Sequence, residues 1–186
     1  MDAGDCAGGE AAGEKGQRGR GSHSEHDAPA ERHPLPDERR RSSAGAQHYR
    51  KLERMYASAP TNEYYAPTMR VSEGRAEIVI PVRPEFYHAA GAVHGAVYFK
   101  ALDDAAFFAA NSLVADVFVL TVSFNVYFTR PIADGEMKAE GRVVHSSRRL
   151  LVAEARLTDS HGREIARGSG TFMRSTIPLS PELGYE

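Results

Sequence analysis

Residues 91–113 read GAVHGAVYFKALDDAAFFAANSL, and this stretch decides the fold. Its apolar spacing predicts one long helix from His94 to Leu113. Val97, Ala101, Ala105, Phe108 and Ser112 form one stripe, and Leu102, Ala106 and Ala109 form the next. Tyr98, Phe99 and Phe107 cover much of what remains. A helix apolar nearly all round is buried rather than laid on a surface. Five alanines along it, at 101, 105, 106, 109 and 110, permit close approach of a sheet or a partner. Lys100, Asp103 and Asp104 are its only charged side chains between Gly95 and Leu113. A carboxylate buried without partners is costly. Asp104 is therefore expected at a solvent edge or paired with Lys100 or an arginine, while Asp103 is the candidate for chemistry.

Working outward, Tyr49, Leu52, Tyr56 and Ala59 recur at helical spacing until Pro60. Thr68–Val71 and Arg75–Val82 flank Glu73-Gly74 and read as a hairpin. After the long helix come four strands: Val117–Thr129, Met137–His145, Leu150–Thr158 and Arg163–Met173. On the first of these, Phe118, Leu120, Val122, Phe124, Val126 and Phe128 alternate and are expected in the core. Thr121, Ser123 and Asn125 lie on the opposite face, where they would line a cleft or a contact. One buried helix with about six antiparallel strands defines an α+β architecture, a curved sheet wrapped around a central helix.

The 186 residues suit one domain with an appendage. Between Met1 and Ala46 the only large aliphatic residue after the start Met is Leu35, so residues 1–46 are read as a disordered tail. Residues 47–176 form the expected folded domain, and 177–186 a C-terminal extension. The tail histidines His23, His26 and His33 are read as solvated rather than metal-binding. With 23 Lys+Arg against 25 Asp+Glu, the formal charge of −2 argues against a nucleic-acid binder. The single cysteine, Cys6, excludes an intrachain disulfide. No apolar run reaches the roughly 18 residues of a membrane helix. The acidic, Gly-rich start lacks the features of a secretory signal or mitochondrial presequence, so a soluble, cytoplasmic protein is expected.

The glycines around His94 point to a site. Gly91 and Gly95 let backbone approach a ligand. The first N–H groups of a helix lack internal partners and sit at its positive end, which suits an oxyanion. Gly95 and Asp103 are eight residues apart, roughly 12 Å at 1.5 Å rise per residue. One carbonyl cannot meet both from the same chain. If both are catalytic, two helices must lie antiparallel across a two-fold axis, giving a dimer with shared sites.

The run His88-Ala-Ala-Gly91-Ala-Val-His94-Gly95, continuing to Leu102-Asp103, resembles the signature of the hotdog-fold acyl-CoA thioesterases of the phenylacetate-pathway (PaaI-like) type. Thr121 to Asn125, continuing to Arg130-Pro131, resembles the strand that follows it in that family. The resemblance covers about Tyr65 to Arg174. It implies a hotdog fold, hydrolysis of a CoA thioester, a dimer or dimer of dimers, and no cofactor or metal. It assigns Asp103 as base on water or nucleophile, the Gly95 N–H as oxyanion donor, His94 as support for the loop and the sulfur side, and Thr121 as a holder of water. His88 replaces the family's Asn, and Ala96 its second Gly. His88 is thus a substrate-binding candidate, as are Arg148 and Arg149 for CoA phosphates. A non-catalytic acyl-CoA sensor is the alternative that the His88 substitution suggests. A hydratase or dehydratase, using His88 with Asp103, ranks third.

Overall fold

The computed structural model describes residues 36–186, with side chains from Ser43 onward. Helix α1 spans Pro36–Ser58 and α2 spans Thr61–Tyr65. Strands β1 (Thr68–Ser72) and β2 (Arg75–Pro81) follow, then helix α3 (Gly95–Asn111). Strands β3 (Val117–Phe128), β4 (Glu136–Ser146), β5 (Leu150–Asp159) and β6 (Glu164–Pro178) complete the sheet. All six strands form one antiparallel sheet in the order β1-β2-β4-β5-β6-β3. The α+β architecture expected from the sequence is present.

The boundaries differ from expectation at both ends. Helix α1 reaches back to Pro36, into the segment read as tail; residues 1–35, with His23, His26 and His33, lie outside the described residues. His48, Leu52, Met55 and Tyr56 recur on one face and are buried, which ties α1 to the domain. Residues 177–186 are not a separate extension either. Strand β6 continues to Pro178, and the turn Pro181–Leu183 brings Tyr185 back to α1. There the Tyr185 hydroxyl meets His48 Nδ1 at 2.6 Å.

Helix α3 lies against the concave side of the sheet. Ala101, Leu102, Ala105, Ala106 and Ala109 are fully buried, facing Ile78, Ile80, Ala139, Leu157 and Phe172 of the core. Sheet and helix touch most closely at Gly141 of β4, where a Cβ would collide with the Ala105 carbonyl. The alanine run and that glycine are one device, since each removes the atoms that would hold the layers apart. The helix nonetheless has one uncovered stripe. Ala96 and Phe99 are exposed, and Lys100 and Asp103 are half-buried beside them. Buried all round was the expectation; the sheet covers most of α3 and leaves this strip.

Strand β3 overturns the expected alternation. Val119, which the same alternation puts opposite the core residues, is fully buried, whereas Leu120 and Val122, expected in the core, are exposed. The cause is an irregularity in its pairing with β6. Thr121 pairs with Phe172 and Ser123 with Thr171, so Val122 is an extra residue. An added residue reverses the face presented by everything beyond it. Val119 and Thr121 therefore point to the helix side before the bulge, and half-buried Phe124 and Val126 do so after it. Phe124 packs on Phe99 and Phe128 on Tyr98, both of α3. Beyond β3 the sheet has no further strand among the described residues, so its outer edge is unpaired.

Candidate active site

The site begins where the loop enters α3. The His88–Ala92 segment closes on itself through His88 N–H to Ala92 O (2.9 Å) and Gly91 N–H to His88 O (2.9 Å). Gly91 takes φ of +78°, a conformation costly for residues with a Cβ. His94 caps α3. Its Nδ1 accepts from Ala96 N–H at 3.1 Å, and its carbonyl accepts from Val97 N–H at 3.0 Å. The Gly95 N–H is engaged by neither, which leaves it at the positive end of the helix. Any Cβ at 95 would press on the Phe128 ring at 3.3 Å. His88, Gly95, Tyr98, Thr129 and Arg130 border a shallow cavity of about 370 Å³.

Two turns along α3, Asp103 faces a different space. Thr121 Oγ1 donates to Asp103 Oδ1 at 3.1 Å. Burial pushes the Asp103 carboxyl up from 3.8 to about 6, although the Thr121 hydrogen bond pulls it down; neighbouring Asp104 adds to the rise and Lys100 opposes it. A carboxylate so placed is ionised at neutral pH yet basic enough to accept a proton. Asp104 has the structural role expected of it. It accepts from Lys100 Nζ at 2.6 Å and from the Tyr56 hydroxyl at 2.7 Å. Lys100 is further held over the rings of Tyr56 and Tyr65. The cavity at Asp103 and Thr121 measures about 810 Å³, and Tyr56, Phe107, Phe108 and Phe118 give it aromatic walls.

Thus the structure brings Asp103 to Thr121, and Gly95 to His88, but it opens the two pairs into separate cavities. His94 stands at the helix start as its cap. Arg148 and Arg149 lie in the exposed turn between β4 and β5 and border neither cavity. Sequence reasoning missed Arg130 at the Gly95 cavity, and Tyr56 as a second partner of Asp104 beside Lys100. In the sequence Arg130 is visible only as part of a strand-end motif, and Tyr56 only as part of a helical stripe. Among the described residues, no group of three or more His, Cys, Asp or Glu side chains is placed to hold a metal ion. None of the described helices is long and apolar enough to cross a membrane.

Residues 90–166 match the sequence profile of the thioesterase superfamily. A Saccharolobus solfataricus protein provisionally named as an esterase is 26% identical over 104 residues, covering 56% of this chain and 74% of its own. A second provisionally named esterase from that organism is 29% identical over 83 residues, 45% of this chain and 55% of its own. Among solved structures, the E. coli PaaI protein of the phenylacetic acid degradation operon superposes with a TM-score of 0.67 at 18% identity. The match covers 73% of this chain and 99% of that one. The fold is therefore that of a hotdog domain. More particularly, the fold has the form seen in the E. coli PaaI protein, and residues 90–166 carry the similarity to the thioesterase superfamily.

Proposed function

We propose that the chain hydrolyses an acyl-CoA thioester to a free acid and CoA, as a homodimer with two shared sites. The observation that carries this reading is the division of the site within one protomer. Gly95 and Asp103 open into different cavities on one helix, so a single thioester reaches both only if two helices run antiparallel. The uncovered stripe of α3, with Phe99 on it, and the unpaired edge of β3, with Leu120 and Val122 exposed, supply surface for such a pairing.

In this mechanism the thioester carbonyl lies at the Gly95 N–H of one protomer, facing Asp103 of the partner subunit. The carboxylate takes a proton from water as the water oxygen bonds to the carbonyl carbon. Charge developing on the carbonyl oxygen is received by the Gly95 N–H and the α3 dipole. Collapse breaks the C–S bond, and the CoA sulfur leaves with the electron pair and receives the proton from the carboxyl group. Thr121 holds the carboxylate in orientation. Arg130 and His88, at the Gly95 cavity, contact the CoA side of the substrate. Contacts from Arg148 and Arg149 to CoA phosphates require another subunit.

Free-thiol release from a panel of short, long and aromatic acyl-CoAs tests the reading. Asp103→Asn should lower turnover by about a hundredfold or more. Co-assembly of Asp103→Asn chains with chains altered at Gly95 should restore activity in mixed dimers, because one of their two sites is intact. Binding of acyl-CoA without turnover by the unaltered protein would instead establish a sensor.

A further inference from the structure

The cavity at Asp103 has a far wall that belongs to neither the sheet nor α3. Leu183 and Gly184, from the turn after β6, border it together with Met55 and Ser58 of α1. This wall is fixed in place at several points. Gly184 has φ of +79°, and a Cβ there would collide with Ser58 Oγ. Its N–H donates to the Pro181 carbonyl at 2.8 Å. Next along the chain, the Tyr185 hydroxyl lies 2.6 Å from His48 Nδ1, and His48 Nε2 lies 3.0 Å from the Asn111 carbonyl. Lys51 stands over the Tyr185 ring. The C-terminal segment is therefore pinned to the last residue of α3. Asn111 lies eight residues beyond Asp103, about 12 Å along the helix axis. Between them Phe107 and Phe108 line the cavity.

We propose that the turn Pro181–Tyr185 is the end-stop of the acyl pocket, with Leu183 the residue that sets how long an acyl chain the site accepts. This rests on the thioester-hydrolase reading of Asp103. The acyl group then extends from Asp103 along Phe107 and Phe108 and abuts Leu183. His48 and Tyr185 are positioning residues, acting through the turn and not on the substrate. Leu183 is partly exposed, so shortening it lengthens the apolar path on that side of the cavity.

The test compares the unaltered protein with Leu183→Ala, and with Tyr185→Phe as a variant that loosens the turn while keeping the Leu183 side chain. Two quantities are measured across straight-chain acyl groups from butanoyl to palmitoyl. One is kcat/KM for thiol release from the CoA esters, and the other is calorimetric affinity for the matching non-hydrolysable acyl-CoA thioethers. Leu183→Ala should raise the long-chain to medium-chain ratio by about tenfold in both, the worth of burying roughly two further methylenes. Tyr185→Phe should broaden the length profile without moving the rate for butanoyl-CoA as much. If the unaltered protein releases no thiol but the affinity profile still shifts in Leu183→Ala, the end-stop stands and the hydrolase reading falls. An affinity profile identical in all three proteins, or no acyl binding in any, overturns the end-stop whether or not thiol is released.

Discussion

Replacing Asp103 by Asn should make the protein less active and more stable at once. The carboxyl is held near 6 rather than 3.8, chiefly because burial disfavours its charge. A displacement of that size corresponds to about 3 kcal/mol of free energy set against the ionised form. Discounting for solvent at a half-buried side chain leaves about 2 kcal/mol. The sign follows from proton binding. Between the two values the folded chain binds the proton more readily than the unfolded chain, so stability rises as pH falls through 6 toward 4. Asn carries no charge and escapes the penalty at every pH. At pH 7.5 the variant should therefore unfold about 4–8 °C higher than the parent, as expected for roughly 2 kcal/mol in a domain of this size. At pH 4.5, where Asp103 is itself protonated in the folded chain, most of the gap should close. Thermal melts of both proteins at the two pH values measure it. A variant no more stable than the parent at pH 7.5, or a gap of the same size at both pH values, would refute the reasoning.

Other outcomes follow from particular contacts. The kcat/KM for hydrolysis should rise with pH through an apparent value near 6. Thr121→Val, which removes a hydrogen bond that favours the carboxylate, should move that limb to higher pH. Gly141→Ala should destabilise the fold by about 1–3 kcal/mol, since the added methyl meets the Ala105 carbonyl; urea unfolding would show it. Val122→Lys, a charge on the free edge of β3, should shift sedimentation from dimer to monomer and abolish thiol release while the circular dichroism spectrum is kept. Tyr56→Phe should lower the melting temperature by removing the hydroxyl that Asp104 accepts, an effect of about 1 kcal/mol.

Local patterns made some of these features legible and long-range packing hid the others. The α3 helix, the Gly74 hairpin turn and all six strand positions follow from apolar periodicity and turn residues, which act within a few residues of each other. Asp103 was legible because a carboxylate within an apolar helix needs a reason. Asp104 was legible for the same reason, resolved by Lys100 one turn earlier. The inward residues of β3 were misread because strict alternation assumes unbroken pairing. Nothing in the residues Thr121-Val122-Ser123 marks the bulge, which arises from how β6 pairs with them. The role of Tyr185 was hidden for a related reason. It meets His48 across 137 positions of sequence, and no local pattern connects the two.

The bulge at Val122 also divides labour along a single strand. Upstream of it, Val119 and Thr121 are in phase with Asp103; downstream, Phe124 and Val126 are in phase with the start of α3, where Phe124 packs on Phe99 one turn before Asp103. The extra residue works as a slack link between the two stretches. Substitutions that repack the lower half need not rotate the hydroxyl that holds the carboxylate, so the chain can accumulate changes in one half while the other stays in register. Deleting Val122 would remove that freedom and force one half to turn its side chains to solvent.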